Sequence, residues 1–293
     1  MFVLCYFFYI FFFFALQNRL ASSESTSLCY TSLERLPWSF HNLIELNMES
    51  NYHVKCIIPS NELLQLHMLE RIHVKDCWHV EEVFNEPQSD VEIPNLTHVE
   101  LNHLQNLKYI WKTNHHVRKV LEFPNLTTMS IDYCKSLEHV FTSSMVGSLQ
   151  KLQHLHIHDC PKMEVIVKVE EEIECDAELK ESVLPRLESL KLNNLESLKG
   201  FFLGKLDFSW PSLHTLEIIG CPELTVFSNG LATTQNLNII DTTFGRCYIK
   251  EDKNLNSFIK TKKQEVSKCI ILLSSFSQNK FKCFLWLKSS SIS

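Results

Sequence analysis

Glycine is scarce, with six among 293 residues, and that scarcity excludes a class of chemistry. Neither G-x-x-x-x-G-K-[ST] nor G-x-G-x-x-G occurs, so the backbone cradles that hold nucleotide phosphates are missing. A basic excess is missing too: 28 Lys and Arg stand against 34 Asp and Glu. Nucleic-acid binding would show as a basic stripe, so that partner is not expected. None of the 11 cysteines stands within four residues of another, which removes zinc ribbons and C-x-x-C redox motifs. The longest apolar run, residues 1–16, is short of the about 20 residues that span a bilayer and lacks the positive start of a signal peptide. No nucleophile, base and orienting acid can be grouped from the sequence. The chain is therefore read as non-enzymatic, with no cofactor and no metal.

What is present is a repeat. In FPNLTTMSIDYCKSLEHVF the apolar residues Leu126, Met129, Ile131, Cys134, Leu137, Val140 and Phe141 fall at offsets 0, 3, 5, 8, 11, 14 and 15. The same frame opens at Leu43, Leu69, Leu96, Leu152, Leu187 and Leu213, with starts separated by 26, 27, 30, 26, 35 and 26 residues. Of the seven positions in each of the seven units, only Asn51 and Ser228 are not apolar. Alternate residues of a strand share one face, so the second and third apolar positions point one way and their neighbours the other. One such unit cannot bury its apolar side, whereas stacked units cover each other. The fold expected is an α/β solenoid: a leucine-rich-repeat horseshoe with a parallel β-sheet on the concave face and irregular loops or short helices on the convex face.

Offset 8 reads Asn51, Cys77, Leu104, Cys134, Cys160, Leu195 and Cys221. A small cysteine there suits a buried, reduced thiol with a weak S–H donor at the turn leaving the strand. Cys160 follows His158 and Asp159, but an inward structural cysteine is usually inert.

The units FPNLTTMSIDYCKSLEHVF, WPSLHTLEIIGCPELTVF and LQKLQHLHIHDCPKMEVIV resemble the C-terminal leucine-rich repeats of plant coiled-coil nucleotide-binding disease resistance proteins. The resemblance covers roughly residues 28–263. It implies a recognition or autoinhibitory segment of a cytoplasmic immune receptor. Its protein ligand would be a pathogen effector, a guarded host protein or a nucleotide-binding domain. Because the nucleotide motif is absent, the chain is expected to be a fragment or truncated paralogue. Two rivals are a secreted or membrane-tethered leucine-rich protein, with membrane contact only through residues 1–16, and a substrate adaptor of a ubiquitin ligase.

The partner-binding face is assigned to the outward strand positions, because inward ones are committed to the core. By unit these are Glu45, Asn47, Glu49; Arg71, His73, Lys75; His98, Glu100, Asn102; Thr128, Ser130, Asp132; His154, His156, His158; Ser189, Lys191, Asn193; and Thr215, Glu217, Ile219. Three histidines on one strand face could ligate a metal, but they occupy ordinary outward positions. Asn95 and Asn125 begin N-L-T triplets, glycosylation acceptors in a secreted protein and ordinary turn residues otherwise.

The expected organisation is as follows. Residues 1–17 form a hydrophobic segment, either a signal or anchor or a non-native start. A remnant of a preceding repeat occupies 18–39, the repeats with a degenerate last strand 40–241, a closing segment 242–263, and a mobile tail 264–293. Between units, residues 112–122 carry a basic cluster, and 168–183 an acidic run with Glu170, Glu171, Glu172, Glu174, Asp176, Glu178 and Glu181. Solvated loops are the simplest account of both.

Overall fold

The computed structural model describes residues 27–29, 40–111, 120–170, 183–205, 207–249 and 251–275. The N-terminal hydrophobic segment, most of the basic and acidic connections, and residues 276–293 lie outside that set.

Ten strands make the main sheet: β1 (Ser27–Cys29), β2 (Glu45–Glu49), β3 (Arg71–Lys75), β4 (His98–Asn102), β5 (Thr128–Asp132), β6 (His154–His158), β7 (Ser189–Asn193), β8 (Thr215–Ile219), β9 (Ile239–Thr242) and β10 (Gly245–Tyr248). They lie side by side in chain order, all parallel except the final β9–β10 hairpin. Met48, Val74, Leu101, Ile131, Ile157, Leu192 and Ile218 are direct neighbours in successive strands. The result is a parallel-sheet solenoid of about seven turns with little helix. β1 continues the sheet one strand before the first unit of the frame, with Leu28 opposite Leu46.

Each turn's return limb is built mainly from short strands. Those near offsets 13 to 15, such as Glu82–Phe84 and Gly200–Phe202, form a three-stranded and a four-stranded parallel sheet. Three-residue 3-10 turns stand at Phe40–Asn42, Leu63–Gln65 and Val146–Ser148. A strand in the limb finds its hydrogen-bond partners in the next coil.

Every position of the frame is buried except Cys221, which is half-buried. The two polar exceptions satisfy themselves locally. Asn51 Oδ1 accepts from the backbone N–H of His53 and Val54 at 2.9 and 3.2 Å. Ser228 Oγ accepts from Gly230 N at 3.0 Å.

An eighth buried column lies outside the frame, three residues before each opening leucine: Phe40, Leu66, Ile93, Phe123, Leu149, Leu184 and Trp210. The carbonyl of each accepts from that leucine's N–H across a tight turn, as Phe123 O does from Leu126 N at 3.2 Å. Pro94, Pro124, Pro185 and Pro211 occupy the second position of these turns, where their fixed φ is suited to the geometry. The following residue ties one coil to the last: Asn125 Nδ2 donates to Pro94 O at 2.6 Å and Asn95 Nδ2 to His67 O at 2.5 Å. Both glycosylation candidates thus spend their amides on the solenoid.

A helix, α1 (Leu255–Ser275), spans residue 263, where the closing segment was expected to end. Asn254 Oδ1 caps its first turn by accepting from Asn256 N at 2.9 Å and Ser257 N at 3.3 Å. Leu255, Phe258 and Ile259 then face the core at helical spacing. This element also solves an edge problem. The strand Val226–Ser228 is the last of its sheet, and Asn256 serves it as a surrogate neighbour. Its Oδ1 accepts from Phe227 N at 2.7 Å, and its Nδ2 donates to the carbonyls of Ser228 and Gly230, both at 2.9 Å. Asn256→Ala should cost about 1–3 kcal/mol, the penalty for part-buried backbone groups left without partners. Hydrogen exchange should quicken at Phe227 while the amides of β4 and β5 keep their protection. Unchanged protection at Phe227 would refute the surrogate role.

Candidate functional site

The outward residues of β2 to β8 form three rows across seven strands. Register places Glu45, Arg71, His98, Thr128, His154, Ser189 and Thr215 in one row. Asn47, His73, Glu100, Ser130, His156, Lys191 and Glu217 make the second, and Glu49, Lys75, Asn102, Asp132, His158, Asn193 and Ile219 the third. All the outward positions singled out in the sequence therefore share one continuous face. Ser189 departs from expectation in one respect: it is 7% exposed. A short hydroxyl between long neighbours is covered by them, and it sits 3.1 Å from His156 Nε2.

Neighbouring strands pair their charges. Arg71 reaches Glu45 at 3.3 Å, Lys75 reaches Glu49 at 3.5 Å, His73 Nδ1 lies 3.1 Å from Glu100, and Asn193 Nδ2 donates to Glu217 at 2.7 Å. Exposed pairs of this kind contribute about 0–1 kcal/mol each. Their pattern bears on selectivity of contact far more than on stability. Burial, with Lys191 and His154 adding to it, pushes His156 below its usual pKa, so that ring favours the neutral form.

The three histidines of β6 do not converge. His154 and His156 stand 6.2 Å apart between ring centroids, while His158 turns away to Asp132 (Nδ1, 2.9 Å) and Asp159 (Nε2, 3.2 Å). Donor atoms of Asp132, His158 and Asp159 lie within 4.8 Å of one another. Each ring nitrogen of His158 thus faces a carboxylate. Asp159 lies one residue past the strand, outside the alternation rule, and the sequence alone did not pair it with His158.

Asp159 belongs to a row that residue types do signal. The residue after each of β2 to β8 has positive φ: Ser50, Asp76, His103, Tyr133, Asp159 and Asn194 at 51–55°, and Gly220 at 67°. Gly, Asp, Asn and His are the residues that enter this region most readily. The following residue is the offset-8 position. Cys77 Sγ lies 3.2 Å from Lys75 O, Cys160 Sγ 3.4 Å from His158 O and Cys221 Sγ 3.3 Å from Leu192 O. Burial lifts the thiol of Cys221 to about 11. A hydrogen bond with Cys134, together with burial, raises Cys160 well above the ordinary value. Thiols held protonated are poor nucleophiles.

A groove of about 930 Å³ lies beside the last repeat, between α1 and the β9–β10 hairpin. Ile218, Leu224, Phe258 and Ile259 make its apolar lining, with Lys262 and Lys263 on the helix wall. No described helix is long and apolar enough to cross a membrane.

No curated protein matches the chain. A family profile described as plant disease resistance protein RPS2-like, leucine-rich repeats, matches residues 15–161 and 139–243. That span contains all seven coils and all three polar rows, and the chain therefore belongs to the leucine-rich-repeat family of RPS2-like plant disease resistance proteins.

Proposed function

We propose that the chain is a protein-recognition module of plant innate immunity, using the three polar rows of the main sheet as its contact surface. The observation that supports this reading most is the division of labour within each strand. Inward residues are spent on the core, while the outward ones carry mixed charge over seven consecutive strands. Such a face has little hydrophobic drive of its own, and it discriminates by charge pattern. Leucine-rich solenoids are generally non-catalytic interaction modules, and the buried thiols fit that role.

By family likeness the partner is a pathogen effector, a guarded host protein or a nucleotide-binding domain, met in the cytoplasm. A nucleotide switch is not encoded by the phosphate-binding motifs known to the sequence, so signalling by nucleotide exchange would need a switch supplied by another domain or chain. The test is affinity capture from leaf extract with wild type, Arg71→Glu/Lys191→Glu and the return-limb control Lys199→Glu. A protein retained by wild type and control but reduced at least tenfold by the face variant supports the reading. Equal capture by all three would refute it. A fluorescent fusion in the apoplast would favour the secreted rival.

A further inference from the structure

We infer that the flank of the main sheet, along the residues that follow each strand, binds an arginine-bearing basic segment of a protein partner. This deepens the recognition reading and rests on it. The positive-φ residue after each strand turns the chain out of the sheet. Side chains there stop alternating between core and surface, and a lane is left running across the coils beside the three polar rows.

Two kinds of group fill that lane. The first is aromatic. Tyr52 and Trp78 meet edge to face at 5.5 Å and are 46% and 48% exposed, whereas Trp111 and Trp210 are buried. In the next coils His103 stacks on Tyr133 at 4.6 Å with 19° between planes, and Tyr133 meets His158 at 5.5 Å. Leaving rings of this size in water forgoes about 1.5–3 kcal/mol each, and adjacent exposed aromatics mark interaction surfaces. The second is acidic. Glu49, Asp76, Asp132 and Asp159 alternate with the rings, against Lys75 and Lys135. His103 and His158 already lean on Asp76 at 3.3 Å and on Asp132 at 2.9 Å.

A guanidinium matches rings and carboxylates together: it is planar, stacks on aromatic faces, and presents five N–H donors that fork onto carboxylates. An ammonium offers charge without the plane.

The experiment is calorimetric titration of the full chain with three capped nonapeptides, rich in arginine, lysine or glutamate. The arginine peptide should bind, the lysine peptide at least fivefold more weakly, and the glutamate peptide without detectable heat. Tyr52→Ala/Trp78→Ala and, separately, Asp132→Asn/Asp159→Asn should each weaken the arginine peptide at least tenfold. Lys199→Glu, on the return limb, should leave it bound. Circular dichroism melts establish that each variant is folded before titration. No binding of the arginine peptide, equal affinity for lysine, or indifference to the aromatic pair would overturn the inference. The leaf-extract capture is scored on Arg71 and Lys191 and can succeed or fail independently.

Discussion

Trp210→Ala should lower the unfolding free energy by about 3–5 kcal/mol, the range for removing a large buried aromatic side chain. The side chain is fully buried among Phe201, Phe208 and Phe227, at centroid distances of 5.1, 5.6 and 5.8 Å. Its indole N–H donates to Val183 O at 3.1 Å, so truncation opens a cavity and strips a buried carbonyl of its donor. Trp78→Ala is the contrasting case, expected within about 0.5 kcal/mol because its side chain is half in solvent. Urea titration followed by far-ultraviolet circular dichroism measures both. A Trp210 effect below about 1 kcal/mol would mean that the aromatic column of the sixth and seventh coils carries little of the stability. In a solenoid, stability is summed from neighbouring coils, so hydrogen exchange should show the loss concentrated around residues 183–230.

The second large effect is one of pH. Burial, with Lys168 adding to it, holds His139 at about 4, and the ring sits 6.1 Å from that of Tyr109. A histidine depressed in the folded state imposes no penalty above its unfolded value near 6.5. Below that value the unfolded chain binds the proton first, so stability falls as pH drops from about 6.5 toward 4. The full loss is about 3 kcal/mol at 1.36 kcal/mol per pH unit. His139→Phe should remove most of that slope. Parallel melts of the two proteins at pH 7, 5.5 and 4.5 decide it, and identical slopes would disprove the assignment.

Much of this molecule was readable because its core is linear. A packing rule that recurs every 26 or so residues leaves its imprint seven times, and the coincidence of Leu101, Ile131, Ile157 and Leu192 as adjacent rungs follows from it. The same imprint located the outward rows, since strand alternation needs no knowledge of the neighbours. Other features carried weaker signals. The column holding Phe123 and Trp210 precedes the leucine by a turn and disappears behind Pro124 and Pro211, which read as loop. The left-handed row includes Asp76, Asn194 and Gly220, whose types enter that region readily, but Tyr133 and Ser50 hide it, because neither type announces positive φ. Helix α1 was missed because its apolar face was sought with a strand frame, and Asn256, its most consequential residue, is polar.

The sequence by itself determined the coil, its register and which side chains face inward, because burial of one apolar face per strand tolerates no slip of a single residue. Tertiary structure alone decided what lies next to what across coils: Ser189 covered beside His156, Asn256 closing an open sheet edge, Tyr52 beside Trp78. Those contacts join residues 26 to 33 positions apart. No local pattern encodes such distances, since they depend on how closely each coil is laid on the one before it.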